Sequence, residues 1–201
     1  MKKILLAAIF FASVHSFAQQ NIKSIEIGSA IPMQGVEVKT SAGTTTSLDK
    51  EKTAKGLLVM FSCNTCPYVI KSQARTKEMM AYAMQNGIGM VIVNSNEAKR
   101  EDDDSYKAMA AYAKEQGYKV PYLVDTKSTL ADAFGATRTP ETFLFDANGK
   151  LVYKGAMEDN PTNPRESKEL FLKSAIDNMV SGKIIEPNAT KSIGCTIKRA
   201  S

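Results

Sequence analysis

Apolar runs of strand length that alternate with helical stretches predict an α/β fold with a parallel core and an antiparallel edge. Gly56–Ser62 (GLLVMFS) and Ile88–Val93 are continuous apolar runs, the pattern of strands buried on both faces. A helical stretch lies between them. Further on, Thr142–Phe145 and Leu151–Tyr153 flank Asp146-Ala147-Asn148-Gly149-Lys150, the turn signal of a hairpin.

In chain order, residues 21–50 set Gly, Ser and Thr between short apolar patches, and a small N-terminal hairpin is expected there. The strand Gly56–Ser62 runs directly into Cys63-Asn64-Thr65-Cys66, and a helix is expected over roughly Cys66–Asn86, stopped by Gly87. After the strand Ile88–Val93, Asp104–Gln116 reads as a helix. Tyr106, Met109, Ala110 and Ala113 share one face there, Asp and Ser sit at the cap, and Gly117 ends it. Val120–Val124 is a short strand and Ser128–Phe134 a short helix closed by Gly135. A last helix opens with Asn163 as cap, Pro164 at the first helical position and Glu166 three after the cap. Leu172, Ala175, Ile176 and Met179 form its apolar face, and Gly182 stops it. No repeat, low-complexity tract or linker interrupts this pattern, so one domain is expected, with a C-terminal tail from about residue 183.

The first 20 residues, MKKILLAAIFFASVHSFAQQ, carry Lys2 and Lys3, an apolar run from Ile4 to Val14, and the small-residue exit Ser16-Phe17-Ala18. This is the layout of a secretory signal peptide, with an apolar run too short to span a bilayer. Cleavage after Ala18 leaves residues 19–201 as one domain, exported and expected in the periplasm. It lowers the net charge from +5 to +3 and removes His15, the single histidine. A mature chain without histidine has no Ser-His or Cys-His dyad and no His-ligated metal. A charge of +3 with scattered signs gives no nucleic-acid footprint. No other stretch suits a transmembrane helix, so no stable membrane insertion is expected.

Cysteine remains. There are three, Cys63, Cys66 and Cys195, an odd number for a chain in an oxidising compartment. Cys63 and Cys66 form a single C-x-x-C, and no second pair or histidine completes a zinc site. A disulfide across so small a loop constrains the unfolded chain little, which leaves a redox pair as the reading. Between a buried strand and a helix start, the first thiol lies beside unpaired backbone N–H groups that stabilise a thiolate. Cys63 is therefore expected to face solvent with a lowered pKa and act as nucleophile. Cys66, inside the first turn, is placed to attack the mixed disulfide and release product.

Thr139-Pro140 opens the strand that follows, and X-Pro is the one bond where cis is accessible. A cis bond there would turn the Thr139 carbonyl and N–H toward the cysteines, ready to pair with an extended substrate; the alternative is a trans proline that merely begins an edge strand. Three readings compete for Cys195, in Ser192-Ile193-Gly194-Cys195-Thr196-Ile197-Lys198: a resolving thiol, an intermolecular disulfide, or a small packed hydrophobe. The high burial frequency of free cysteine favours a buried, unpaired thiol. Pairing with Cys63 or Cys66 would need Cα atoms within about 7 Å. The run Glu101-Asp102-Asp103-Asp104 lacks the spaced oxygens and glycine of a hard-cation loop and reads as a solvated helix approach, so no metal is expected.

The segments LLVMFSCNTCPYV, VPYLVDTKSTLADAFGATRTPETFLFDANGKLVYKG and SIGCTIK resemble the thioredoxin superfamily, in its redoxin or peroxiredoxin-like branch (the alkyl hydroperoxide reductase/thiol-specific antioxidant type). The resemblance covers about residues 26–198. It implies a thioredoxin-like fold with an N-terminal β-hairpin and an insertion, about Asn94–Val124, between the second core strand and the following core helix. It puts Cys63 at the nucleophile position, Cys66 at the resolving position and Pro140 at the cis-proline position, with Thr139 and Pro140 as the substrate-binding pair. Ser62 replaces the tryptophan frequent before the first cysteine of thioredoxins, and Gly56–Ser62 holds no buried carboxylate. Against true peroxiredoxins, Cys63 fills the slot of a threonine and Cys66-Pro67 aligns with the peroxidatic Cys-Pro. The implied activity is thiol–disulfide exchange through a Cys63–Cys66 dithiol. The alternative is a thiol peroxidase that reduces hydroperoxides with Cys66 as peroxidatic thiol. The partners are protein thiols and disulfides or a small peroxide, together with a thiol reductant or oxidant. No cofactor is implied.

Overall fold

Leu57–Ser62 is buried at every position, and the rest of the fold is laid around this strand. A computed structural model describes residues 22–200, so the signal peptide expected over residues 1–18 lies outside the described residues. In chain order the elements are β1 (Val38–Lys39), β2 (Thr45–Thr46), α1 (Leu48–Glu51), β3 (Leu57–Ser62), α2 (Pro67–Lys71), α3 (Gln73–Gln85) and β4 (Gly89–Asn94). They continue with α4 (Tyr106–Gln116), β5 (Tyr122–Val124), α5 (Thr129–Phe134), β6 (Arg138–Thr139), β7 (Glu141–Phe145), β8 (Leu151–Gly155), α6 (Phe171–Val180) and β9 (Cys195–Thr196).

The central sheet has the order β5-β4-β3-β7-β8. β3, β4 and β5 run parallel, and β7 and β8 complete an antiparallel edge. This is a mixed α/β sheet of thioredoxin-like type. β1 and β2 form a separate antiparallel pair. Alternate residues of the strands feed two cores. Leu58, Met60, Ile92, Leu144 and Tyr153 meet Met79, Met80, Met109, Leu172 and Ile176 on the face covered by α3, α4 and α6. On the other face Val59, Phe61, Val91, Phe143 and Phe145 pack with α5, where Phe134 stands edge-to-face 5.3 Å from Phe61 and 5.2 Å from Phe143. Several of the methionines fill the first core, as flexible side chains do.

Register places the site. Ser62 pairs with Asn94 and Asn94 with Val124, so the parallel strands end at one edge, where α/β sheets leave a crevice. The C-x-x-C loop leaves β3 there.

Two helix readings are corrected. The helix expected over Cys66–Asn86 is two helices, α2 and α3, broken at the buried Ser72. Gln73 turns inward at the break and donates to the hydroxyls of Tyr112 and Tyr118 at 2.6 and 3.0 Å. Neither glycine nor proline marks it. The Asn163-Pro164-Glu166 signature opens only a 3₁₀ turn, Pro164–Glu166, and α6 begins at Phe171. Asp159 accounts for the gap. Its carboxylate accepts from Lys168 N–H at 3.1 Å, and its own N–H donates to Glu169 O at 3.1 Å, which holds residues 168–169 out of the helix.

Candidate functional site

Cys63 follows the last residue of β3, and Cys66 is the residue before α2. The backbone N–H groups of Thr65 and Cys66 lie near enough to the Cys63 sulfur to favour its thiolate. The Thr139–Pro140 bond is cis, and Thr139 Oγ1 lies 3.5 Å from Cys63 Sγ. The Thr139 carbonyl oxygen is 3.3 Å from Cys66 Sγ, a contact only, since a disulfide sulfur carries no proton to donate. The structure thus brings Cys63, Cys66, Thr139 and Pro140 together.

Cys195 joins them, and here the expectation of a buried, unpaired thiol is corrected. Cys66 and Cys195 form a disulfide across 129 residues with Cα atoms 6.0 Å apart, and Cys63 is the free thiol. The tail folds back as β9, which pairs antiparallel with β6 and sets Thr139 opposite Cys195. Gly194 makes the approach possible, because a Cβ there would stand 2.1 Å from the Thr139 carbonyl oxygen. No local pattern signals a contact between segments so far apart.

The expectation that Cys63 faces solvent with a lowered pKa is corrected too. Cys63 is 2% and Cys66 4% exposed. Burial pushes the Cys63 thiol above its ordinary value, the Asp104 carboxylate adds to this, and the bonds from Thr139, Cys66 and Thr65 oppose it. α2 has only five residues, and the N–H groups of Thr65 and Cys66 just before it do not outweigh the burial.

Asp104 is the residue that sequence reasoning missed. It is 0% exposed, against the expectation of a solvated run. Its Oδ1 accepts from the Asn64 N–H at 3.0 Å and from Asn94 Nδ2 at 2.6 Å, and its Oδ2 accepts from Asn96 Nδ2 at 2.9 Å. Tyr122 O–H donates to Asn64 Oδ1 at 2.9 Å, and Lys198 N–H donates to Asn96 Oδ1 at 2.8 Å. One polar network therefore fixes the C-x-x-C loop and the tail together. Arg100 binds the backbone oxygens of Asp104 and Asn94 at 2.8 and 3.0 Å, so the donors at the carboxylate itself are neutral. The only signal in the sequence was position, since Asp104 precedes Ser105, whose side chain caps α4 by accepting from Ala108 N–H at 3.3 Å.

A cavity of about 190 Å³ opens on the sulfurs, rimmed by Thr65, Pro67, Asn96, Lys99 and Lys198. A larger one, about 510 Å³, lies by Thr40, Ala113, Lys114 and Pro121 and is lined by no cysteine, so chemistry rather than size places the site. No group of three or more His, Cys, Asp or Glu poised for a metal occurs among the described residues.

The family model described as Redoxin matches residues 26–170. The chain belongs to the Redoxin family. A hypothetical protein of Sinorhizobium meliloti 1021 is 30% identical, with 89% of this chain and 97% of that one covered at a TM-score of 0.79. Likeness at lower identity shows the Redoxin fold alone. Peroxidoxin BcpB of Mycobacterium tuberculosis is 16% identical over 78% of this chain and 95% of that one, with a TM-score of 0.56. A putative thiol:disulfide interchange protein DsbE of Chlorobium tepidum is 19% identical over 79% and 98%, with a TM-score of 0.57. The comparison with curated proteins returned no match. Membership of the Redoxin family supports a thiol-based oxidoreductase.

Proposed function

We propose that this protein is an exported thiol–disulfide oxidoreductase that works through the Cys63–Cys66 dithiol, in the periplasm. One observation carries the reading: a free thiol, Cys63, stands beside the Cys66–Cys195 disulfide in a single sulfur cluster. A thiol and a disulfide side by side are the reactants of disulfide exchange. Cys63, once deprotonated, attacks Cys66 Sγ. The Cys63–Cys66 bond forms, the Cys66–Cys195 bond breaks, and Cys195 leaves as a thiolate and takes up a proton. No net electrons move in this step. The resulting Cys63–Cys66 disulfide accepts two electrons and two protons from a substrate dithiol, which becomes a disulfide, and the reverse reaction reduces a substrate disulfide. Thr139 supports this role by placing its hydroxyl on Cys63.

The Cys66–Cys195 bond also favours a second reading, a peroxidase. There Cys66 takes an oxygen atom from ROOH to give a sulfenic acid and ROH, and Cys195 condenses with it, releasing water. Lys99 and Lys198 rim the cavity on the sulfurs, and no arginine does. The two readings separate on turnover. Oxidation of dithiothreitol should proceed with a disulfide acceptor and not accelerate with hydrogen peroxide. Peroxide-driven turnover with a sulfenic acid trapped on Cys66 would replace the first reading by the second. Export is checked by N-terminal sequencing of protein from the host envelope, where a chain starting near residue 19 is expected and an intact Met1 on cytosolic protein would contradict it.

A further inference from the structure

An extended chain already lies against Thr139, and it is the protein's own tail. β9 pairs with β6, Arg138 opposite Thr196 and Thr139 opposite Cys195. The disulfide is one restraint among several. Ile197 donates its N–H to Thr137 O at 3.0 Å and buries its side chain, 3% exposed, in the core beneath α5. Ala98 N–H reaches the Lys198 carbonyl at 2.9 Å, and Lys198 N–H reaches Asn96 Oδ1 at 2.8 Å. Arg199 binds Asp132 and the Ala136 carbonyl, each at 2.7 Å. None of these contacts involves a sulfur atom. The backbone edge at Thr139, which would otherwise take an extended substrate strand, is therefore filled.

What stays open is the 190 Å³ cavity. It takes a disulfide's sulfurs and the groups next to them, with the rest of a small molecule outside at the rim, whereas a polypeptide strand would need the backbone edge that the tail holds. Its rim carries two ammonium groups, Lys99 and Lys198, and no carboxylate. Lys99 has a partner in Asp102 at 3.7 Å, but both side chains are exposed and solvent screens the pair.

We propose that the site, on the exchange reading above, serves low-molecular-weight anionic thiols and their disulfides. The docked tail excludes extended protein segments, and Lys99 and Lys198 draw in the anion. With a disulfide R–S–S–R, one protein thiolate breaks the R–S–S–R bond and forms a mixed disulfide, releasing RS⁻. The second protein thiolate then displaces the other RS⁻. Two electrons pass to the substrate, the protein closes its Cys63–Cys66 bond, and the two thiol protons end on two R–SH.

The test compares three probes with the reduced full-length protein at low ionic strength: glutathione disulfide, which is anionic, 2-hydroxyethyl disulfide, which is neutral, and an extended peptide carrying a mixed disulfide. Glutathione disulfide is expected to exceed the neutral probe in kcat/KM by about 10-fold, the low end of electrostatic steering, and the peptide to be the slowest. In the double variant Lys99→Glu, Lys198→Glu the preference for glutathione disulfide over the neutral probe should collapse. Gly194→Ala, which forces β9 away from Thr139, should raise the peptide rate relative to glutathione disulfide. A wild-type protein that reduces the peptide as fast as glutathione disulfide, or a preference untouched by the charge reversal, would overturn the inference alone. Inertness toward all three probes would overturn the exchange reading and this inference with it.

Discussion

Cys63→Ser is expected to lose disulfide-exchange turnover by roughly 10³-fold or more, since it removes the attacking sulfur. The oxidised variant should remain about as stable as the parent, within ~1 kcal/mol, because the Cys66–Cys195 bond is untouched. Cys195→Ala behaves oppositely in stability. It opens a loop spanning 129 residues, for which the chain-entropy model gives a loss of about 5 kcal/mol. Urea unfolding of the oxidised proteins, alongside turnover, checks both. The pH profile adds a sign. Burial raises the Cys63 thiol in the folded state, so its contribution to stability is present below the ordinary thiol pKa of about 8.5 and is lost as pH rises above it. In Cys63→Ser the part of the loss between about pH 8.5 and 10 should be absent, while the loss at higher pH from Tyr112, Tyr118, Tyr122 and Tyr153, likewise raised by burial, remains.

Asp104→Ala is expected to destabilise the fold by on the order of 3–6 kcal/mol, because the Asn64 N–H and the amides of Asn94 and Asn96 lose their common acceptor in a buried setting. Asp104→Asn keeps the shape and removes the charge. It should fold, and Cys63 should alkylate at lower pH than in the parent, since the nearby negative charge that disfavours the thiolate is gone. Iodoacetamide rates against pH, with thermal unfolding, read the two effects separately. An unchanged alkylation profile in Asp104→Asn would show that the carboxylate supports the loop without tuning the thiol.

What could be read from the sequence follows the range of the interactions. β3 and β4 were legible because strands buried on both faces are unbroken apolar runs, and the Gly117 and Gly135 stops were legible because left-handed caps select glycine. The C-x-x-C and Thr139-Pro140 lie in local motifs and were found as such, while the choice of cis over trans came only with the structure. Asp104 and Cys195 were not, because each takes its role from partners distant in the chain. Asp104 looks like any acid before a helix until Asn64, Asn94 and Asn96 surround it. Cys195 looks like a packed hydrophobe until β9 docks on β6. Burial likewise reversed the expected exposure and pKa of Cys63. In the last helix the capping pattern was real but local, and the bonds of Asp159 to residues 168–169 moved the helix start to Phe171.

The most direct test is the position of the disulfide as pH rises. Oxidised protein is held at pH 6, 8 and 9.5, quenched with acid, alkylated and digested without reductant, and its cysteine peptides are weighed. At pH 6 the expected pattern is Cys66 joined to Cys195 with Cys63 alkylated. As pH rises and Cys63 ionises, a second form should grow, with Cys63 joined to Cys66 and Cys195 alkylated. A pattern in which Cys63 is alkylated at every pH and no Cys63–Cys66 bond ever forms would contradict exchange through this pair.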